Sequence, residues 1–208
     1  MLRTLVLATN NRHKVQEISP LLLEASAGFP ALPLTLKSAG EFGAFDPEET
    51  GSTLEENALI KAQAALALTG EWCISDDTGL EVDALDGRPG IYAARYAGEG
   101  CSFADNINKM LGEMKNVPEQ PAKLRAAKFI CVIALCVPKQ EPQLFRAECP
   151  GRIRTSASGA GGFGYDPIFE VAGLGKTFAE LPLAEKNRIS HRAQAVRMLR
   201  DELRKRLA

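Results

Sequence analysis

The chain has 208 residues, 45% hydrophobic and 25% charged, which is enough to bury a substantial core and excludes a disordered or fibrous architecture. A formal net charge of -1 leaves no overall electrostatic footprint for nucleic acid, so none is expected as a partner. The five cysteines are odd in number and lack CxxC spacing, so they read as reduced packing residues, and two histidines fall short of a usual zinc ligand set.

Taken from the start, residues 1–8 are apolar but too short for a signal segment, and they read as a first strand. Asn11 can cap a helix on which Val15, Ile18 and Leu22 recur at helical spacing, while Pro20 predicts a kink or restart near Ser19. A second strand is expected over 32–36, followed by an acidic loop over 40–51. Ser52 with Glu55 forms a capping-box pattern, opening a helix that Gly70 closes. On that helix Asn57 and Lys61 share a face.

Trp72 to Ser75 predicts a strand delivering the adjacent carboxylates of Asp76 and Asp77. A helix is expected over 102–115, then a hairpin of two long strands over 124–137 and 143–154, then an amphipathic helix from Ser190 with Val196, Leu199, Leu203 and Leu207 on one stripe. The run from Phe129 to Val137 is about half of the roughly 20 residues a membrane helix needs, so a soluble, cytosolic protein without a membrane partner is expected. Alternating strands and helices interrupted by a hairpin predict an α/β fold with a mixed sheet, flanking helices and a single domain over 1–208, in two lobes with a central cleft.

Two nucleotide motifs fail on inspection. Gly159 to Gly164 matches GxGxxG, but Tyr165-Asp166-Pro167 follows at once and leaves no room for the helix the motif requires. Gly175-Lys176-Thr177 resembles the end of a P-loop, yet Glu170 stands where its first glycine belongs. What remains is a glycine-rich loop carrying Phe163 and Tyr165, one of which could stack on a planar base.

The chemistry-bearing residues are the turn Thr9-Asn10-Asn11-Arg12-His13-Lys14, the acidic pairs Glu48-Glu49 and Asp76-Asp77, and the basic segment 185–192. Carboxylates to hold a cation and lysines to hold an anion suggest a phosphate ester substrate, with magnesium as the cation. Arginine at a helix N-terminus opposes the helix dipole, so Arg192 is better explained by an acceptor facing it.

Together the turn 9–14, Glu49, Ser75-Asp76-Asp77-Thr78-Gly79-Leu80, Gly90-Ile91-Tyr92-Ala93-Ala94-Arg95-Tyr96, the segment Gly161 to Phe169 and Ser190-His191-Arg192 resemble the inosine triphosphate pyrophosphatase family, in its bacterial dITP/XTP branch. The resemblance implies an elongated mixed α/β fold, a homodimer, dependence on Mg2+, and hydrolysis of non-canonical purine nucleoside triphosphates to monophosphate and pyrophosphate. It also implies site residues. Thr9, Asn10, Asn11, Arg12, His13 and Lys14 would hold phosphate and nucleotide, with Lys61 aimed at the phosphates and Thr78 on the substrate. Glu49 and Asp77 would hold the metal, and Asp77 would accept the proton. Phe163, Gly164, Tyr165 and Asp166 would embrace the base, with Lys186, His191 and Arg192 completing the pocket. Two other readings are a related pyrophosphatase for modified pyrimidine nucleotides and a non-catalytic nucleotide sensor.

Overall fold

A computed structural model describes residues 2–23 and 31–207; Met1 of the expected first strand lies outside them. The elements in chain order are β1 (Arg3–Leu7), α1 (Arg12–Leu23), β2 (Leu34–Ser38), α2 (Leu54–Thr69), β3 (Trp72–Val82), β4 (Pro89–Gly90), α3 (Phe103–Glu113), β5 (Ala126–Cys136), β6 (Gln143–Ile153), β7 (Phe169–Val171), α4 (Leu183–Ile189) and α5 (His191–Leu207). The strands form a sheet in the order β2-β1-β3-β5-β6-β7, with β4 paired to β3. It is mixed: β1 is parallel to β2 and β3, while β3/β4 and β6/β7 are antiparallel. The α/β fold expected from the alternation of elements is therefore present.

The chain divides into two compact units. The first comprises Met1–Asp77, Cys131–Ala147 and Arg192–Ala208. Its core joins Leu5 and Leu7 of β1, Ile18 and Leu22 of α1, Ile133 and Leu135 of β5, and the α5 stripe Val196, Leu199 and Leu203. The second comprises Thr78–Ile130 and Glu148–His191, with a core around Leu80, Met110, Phe129, Ile153, Phe169 and Phe178. The residue-level boundary falls inside β3, after Asp77.

Four local expectations are corrected. First, α1 does not restart at Ser19 but runs through Pro20 as one helix. The proline costs about 3 kcal/mol there, and burying Ile18 and Leu22, worth ~1.5–3 kcal/mol each, offsets it. Second, the α2 cap is Thr53, whose side chain accepts from the Glu56 amide, while Glu56 Oε2 takes both the amide and hydroxyl of Ser52. The capping pattern is thus displaced by one residue from Ser52/Glu55. Gly70 closes the helix in the left-handed region as expected.

Third, β3 does not end at Ser75 but continues through both aspartates, because apolar Leu80 and Val82 extend the buried strand beyond them. Fourth, β2 lies two residues later than expected, at Leu34–Ser38. All five cysteines are free, and four are buried. No helix among the described residues is long and apolar enough to cross a membrane.

Candidate active site

In the first unit, β3 carries Ser75, Asp76 and Asp77 in three consecutive buried positions. Strand alternation sends Asp76 and Asp77 to opposite faces, so neighbouring carboxylates acquire different surroundings. Asp77 meets α2: its Oδ1 accepts from Lys61 Nζ at 2.6 Å, and the same ammonium lies 2.8 Å from Glu49. Asp76 meets α1 and α5. Its Oδ1 pairs with Lys14 Nζ at 2.9 Å, its backbone oxygen accepts from the same lysine, and Oδ2 receives Arg192 Nε and Nη2 at 3.1 Å each. The third guanidinium nitrogen, Nη1, donates to Glu17.

The two carboxylates consequently differ in basicity. Burial alone would raise Asp76, but the charges of Lys14, Arg192 and Lys61 outweigh it and hold the group well below the usual carboxylate range. Burial also dominates at Asp77, and there it prevails over the opposing pull of Lys61 and Lys14, leaving the group above its ordinary value. Lys61 is itself buried, which disfavours its charge, yet Asp77 and Asp76 more than compensate and keep it protonated. One aspartate is thus a fixed anion, and its neighbour is a stronger base.

The start of α1 is built from its own polar residues. Thr9 Oγ1 accepts from the Asn11 amide, and Asn11 Oδ1 accepts from the amides of His13 and Lys14, which is the expected cap. Asn10 Nδ2 donates to the Phe45 carbonyl. Arg12 and His13 are exposed, whereas Lys14 reaches inward to Asp76.

In the second unit, Asp166 organises the glycine-rich loop. Its Oδ2 accepts from the Phe163 amide at 2.8 Å and from Lys186 Nζ at 2.6 Å. A Cβ on Gly162, which has φ of +71°, would run into that carboxylate, so only glycine fits. The Lys186 ammonium stands 5.1 Å from the centre of the Phe163 ring, and Phe163 is half-buried. Gly164 and Thr78 are likewise half-buried. The His191 ring is buried and stacks on Phe129 at 4.7 Å.

Two of the residues expected at the base are bonded to protein groups. Tyr165 is buried, and its hydroxyl donates to the Ala93 carbonyl, so the ring is a core element rather than a stacking platform. Arg192 is only 2% exposed and its guanidinium is engaged by Asp76 and Glu17. The facing acceptor anticipated for Arg192 is therefore a pair of protein carboxylates. Glu17 was not anticipated; its signal was a lone acid beside the apolar face set by Ile18 and Leu22.

Among the described residues, no group of three or more His, Cys, Asp or Glu side chains could hold a metal ion. Magnesium does not require one, because it takes one or two carboxylates and completes its shell with water and substrate phosphates. Glu49 and Asp77 already share a cation, the Lys61 ammonium, which shows that their oxygens converge on one positive charge. The donor set is hard oxygen throughout and fits such an ion.

A model of the Ham1 family matches residues 5–202. Among curated relatives, a protein of Geobacter sulfurreducens named dITP/XTP pyrophosphatase is 48% identical over 96% of each chain. One of the same name from Yersinia pseudotuberculosis is 45% identical over 98% of this chain and 99% of its own. Among solved structures, the Ham1 protein of Staphylococcus aureus superposes with a TM-score of 0.84 at 40% identity, covering 98% of this chain and 100% of its own. A HAM1 protein from Coxiella burnetii gives 0.85 at 38% identity, covering 98% and 99%. A match of this extent, on a fold and charge cluster of this kind, places the chain in the Ham1 family.

Proposed function

We propose that this protein hydrolyses non-canonical purine nucleoside triphosphates, ITP, dITP and XTP, to the monophosphate and pyrophosphate, cleansing the nucleotide pool. The observation that carries the reading is the convergence of Lys14 on Asp76 and of Lys61 on Asp77 and Glu49, in a chain whose relatives bear the name dITP/XTP pyrophosphatase. Carboxylates that can hold a cation, each paired with a lysine that can meet a phosphate, are what hydrolysis of a polyphosphate needs.

In this reading Asp77 takes the proton from the attacking water. Lys61 and Lys14 neutralise the polyphosphate, with Lys14 held in place by ionised Asp76. Glu49 and Asp77 would hold magnesium, which supplies charge neutralisation on the phosphates and acidification of water. Water attacks the α-phosphorus and pyrophosphate leaves. The Thr9–Lys14 turn holds phosphate and nucleotide. Phe163, Gly164 and Asp166, with Lys186 and His191, form the base-recognising group, Phe163 supplying the ring. Arg192 acts by holding Asp76.

Pyrophosphate release across a panel of nucleoside triphosphates tests the reading. ITP, dITP and XTP should be hydrolysed well, ATP and GTP poorly, and activity should vanish in excess chelator and return with magnesium. Preference for modified pyrimidine nucleotides, or binding without turnover, would overturn it. A cytosolic homodimer belongs to the same reading, and light scattering should give twice the chain mass at micromolar concentration; a monomer mass would remove the dimer alone.

A further inference from the structure

The loop that delivers Glu49 is fastened to α2 at two points on one helix face. Lys61 meets the Glu49 carboxylate at 2.8 Å. One turn earlier, Asn57 Oδ1 accepts from the Gly51 amide at 2.8 Å. Asn57 is a polar side chain only 1% exposed, and its bond goes to the backbone two residues from Glu49. The contact is also close. A Cβ on Gly51 would lie 2.6 Å from Asn57 Oδ1 and 2.7 Å from Glu56 Cβ, so the loop reaches the helix here only because residue 51 has no side chain.

The neighbouring fastening, Ser52 on Glu56, is exposed and serves the helix cap. Asn57 is different: it is internal, where an amide unable to find water must bond or pay the desolvation cost. The other side of this turn is tied to β3, because Ser75 Oγ donates to the Ala58 carbonyl at 2.5 Å, next to the two aspartates. A short piece of α2, residues 57–61, therefore touches both the Glu49 loop and the strand bearing Asp77.

We propose that Asn57 is a positioning residue that latches the loop through the Gly51 amide and so fixes Glu49 beside Lys61 and Asp77 for cation binding. This rests on the reading above that Glu49 holds the metal. Partners that orient a ligand carboxylate typically govern metal affinity by 10–100-fold. Losing the latch frees the loop, and the cost appears in the cation requirement before it appears in turnover at saturating cation.

The test uses the full chain and compares Asn57→Ala, Asn57→Asp, Gly51→Ala, Glu49→Gln and the Asn57→Ala/Glu49→Gln pair. Two quantities are read: the magnesium concentration for half-maximal pyrophosphate release, and the rise in melting temperature on adding magnesium alone. Asn57→Ala should raise the first by about tenfold and shrink the second, while kcat at saturating magnesium changes less. Asn57→Asp retains an acceptor for the Gly51 amide and should recover most of the loss. Gly51→Ala displaces the loop without removing a buried amide, so it reports on the latch even if Asn57→Ala folds poorly. On the Glu49→Gln background, Asn57→Ala should add nothing to the magnesium requirement.

A normal magnesium requirement in both Asn57→Ala and Gly51→Ala, with Glu49→Gln impaired, overturns the latch alone. Additive losses in the double variant overturn it too, since Asn57 would then act independently of Glu49. If Glu49→Gln itself leaves the requirement unchanged, the assignment of Glu49 to the metal fails and the latch falls with it.

Discussion

Asp77→Asn should lower kcat for pyrophosphate release by at least ~100-fold, the lower end for loss of a general base, and leave the melting temperature unchanged or slightly raised. Both halves follow from the same burial. The fold disfavours charge on Asp77, since desolvation outweighs the pull of Lys61 and Lys14 and raises the carboxyl above its ordinary value. A neutral amide of the same shape relieves that penalty and can still accept from Lys61 through Oδ1, while Asp76 and Glu49 continue to support the Lys61 charge, so stability is not the casualty. Chemistry is, because an amide neither takes a proton from water nor offers a negative charge to a cation. Steady-state kinetics at saturating magnesium beside a thermal melt reads both. Wild-type turnover would remove Asp77 from the reaction, and a large drop in melting temperature would show that Lys61 depends on its charge for burial.

The sequence made the elements legible and the long-range polar partners illegible, and the reason is physical. Apolar periodicity reports which face of an element is buried, so the α5 stripe of Val196, Leu199 and Leu203 and the strands flanking Pro138 to Pro142 are where the pattern predicts. Local bonds are equally readable: Asn11 caps α1 and Gly70 ends α2. Errors arose where tertiary packing overrode a local rule, as at Pro20 inside α1 and at the aspartates inside β3. A pair such as Arg192 with Asp76 spans 116 positions and leaves no periodic trace. The sequence could say that Arg192 needed an acceptor, but not that protein carboxylates rather than a ligand supply it. The choice between Phe163 and Tyr165 is illegible for a related reason: both aromatics of the glycine-rich loop look available until the fold directs the Tyr165 hydroxyl to Ala93.

That placement of Arg192 changes what its removal should do. Arg192→Ala is expected to destabilise the protein by about 3–5 kcal/mol, the usual cost of stripping one partner from a buried ion pair. At roughly 2–4 °C per kcal/mol for a chain of this size, this is a fall of ~6–20 °C in melting temperature. Asp76 and Glu17 are both buried and both lose guanidinium nitrogens. Lost packing alone would also destabilise, and pH separates the two causes. In the intact protein Asp76 lies well below its unfolded value of 3.8, so its contribution is present above that value and is lost as pH falls through the lower folded one. Without Arg192 one of the charges holding Asp76 down is gone, its folded value rises, and the carboxylate can escape the penalty by taking a proton. The stability deficit of Arg192→Ala should therefore narrow as pH is lowered from neutrality through that raised folded value. Denaturant unfolding at several pH values measures it directly. A deficit of constant size across that range would mean that Arg192 holds the first unit together by its bulk, and that the charge of Asp76 is balanced by Lys14 and Lys61.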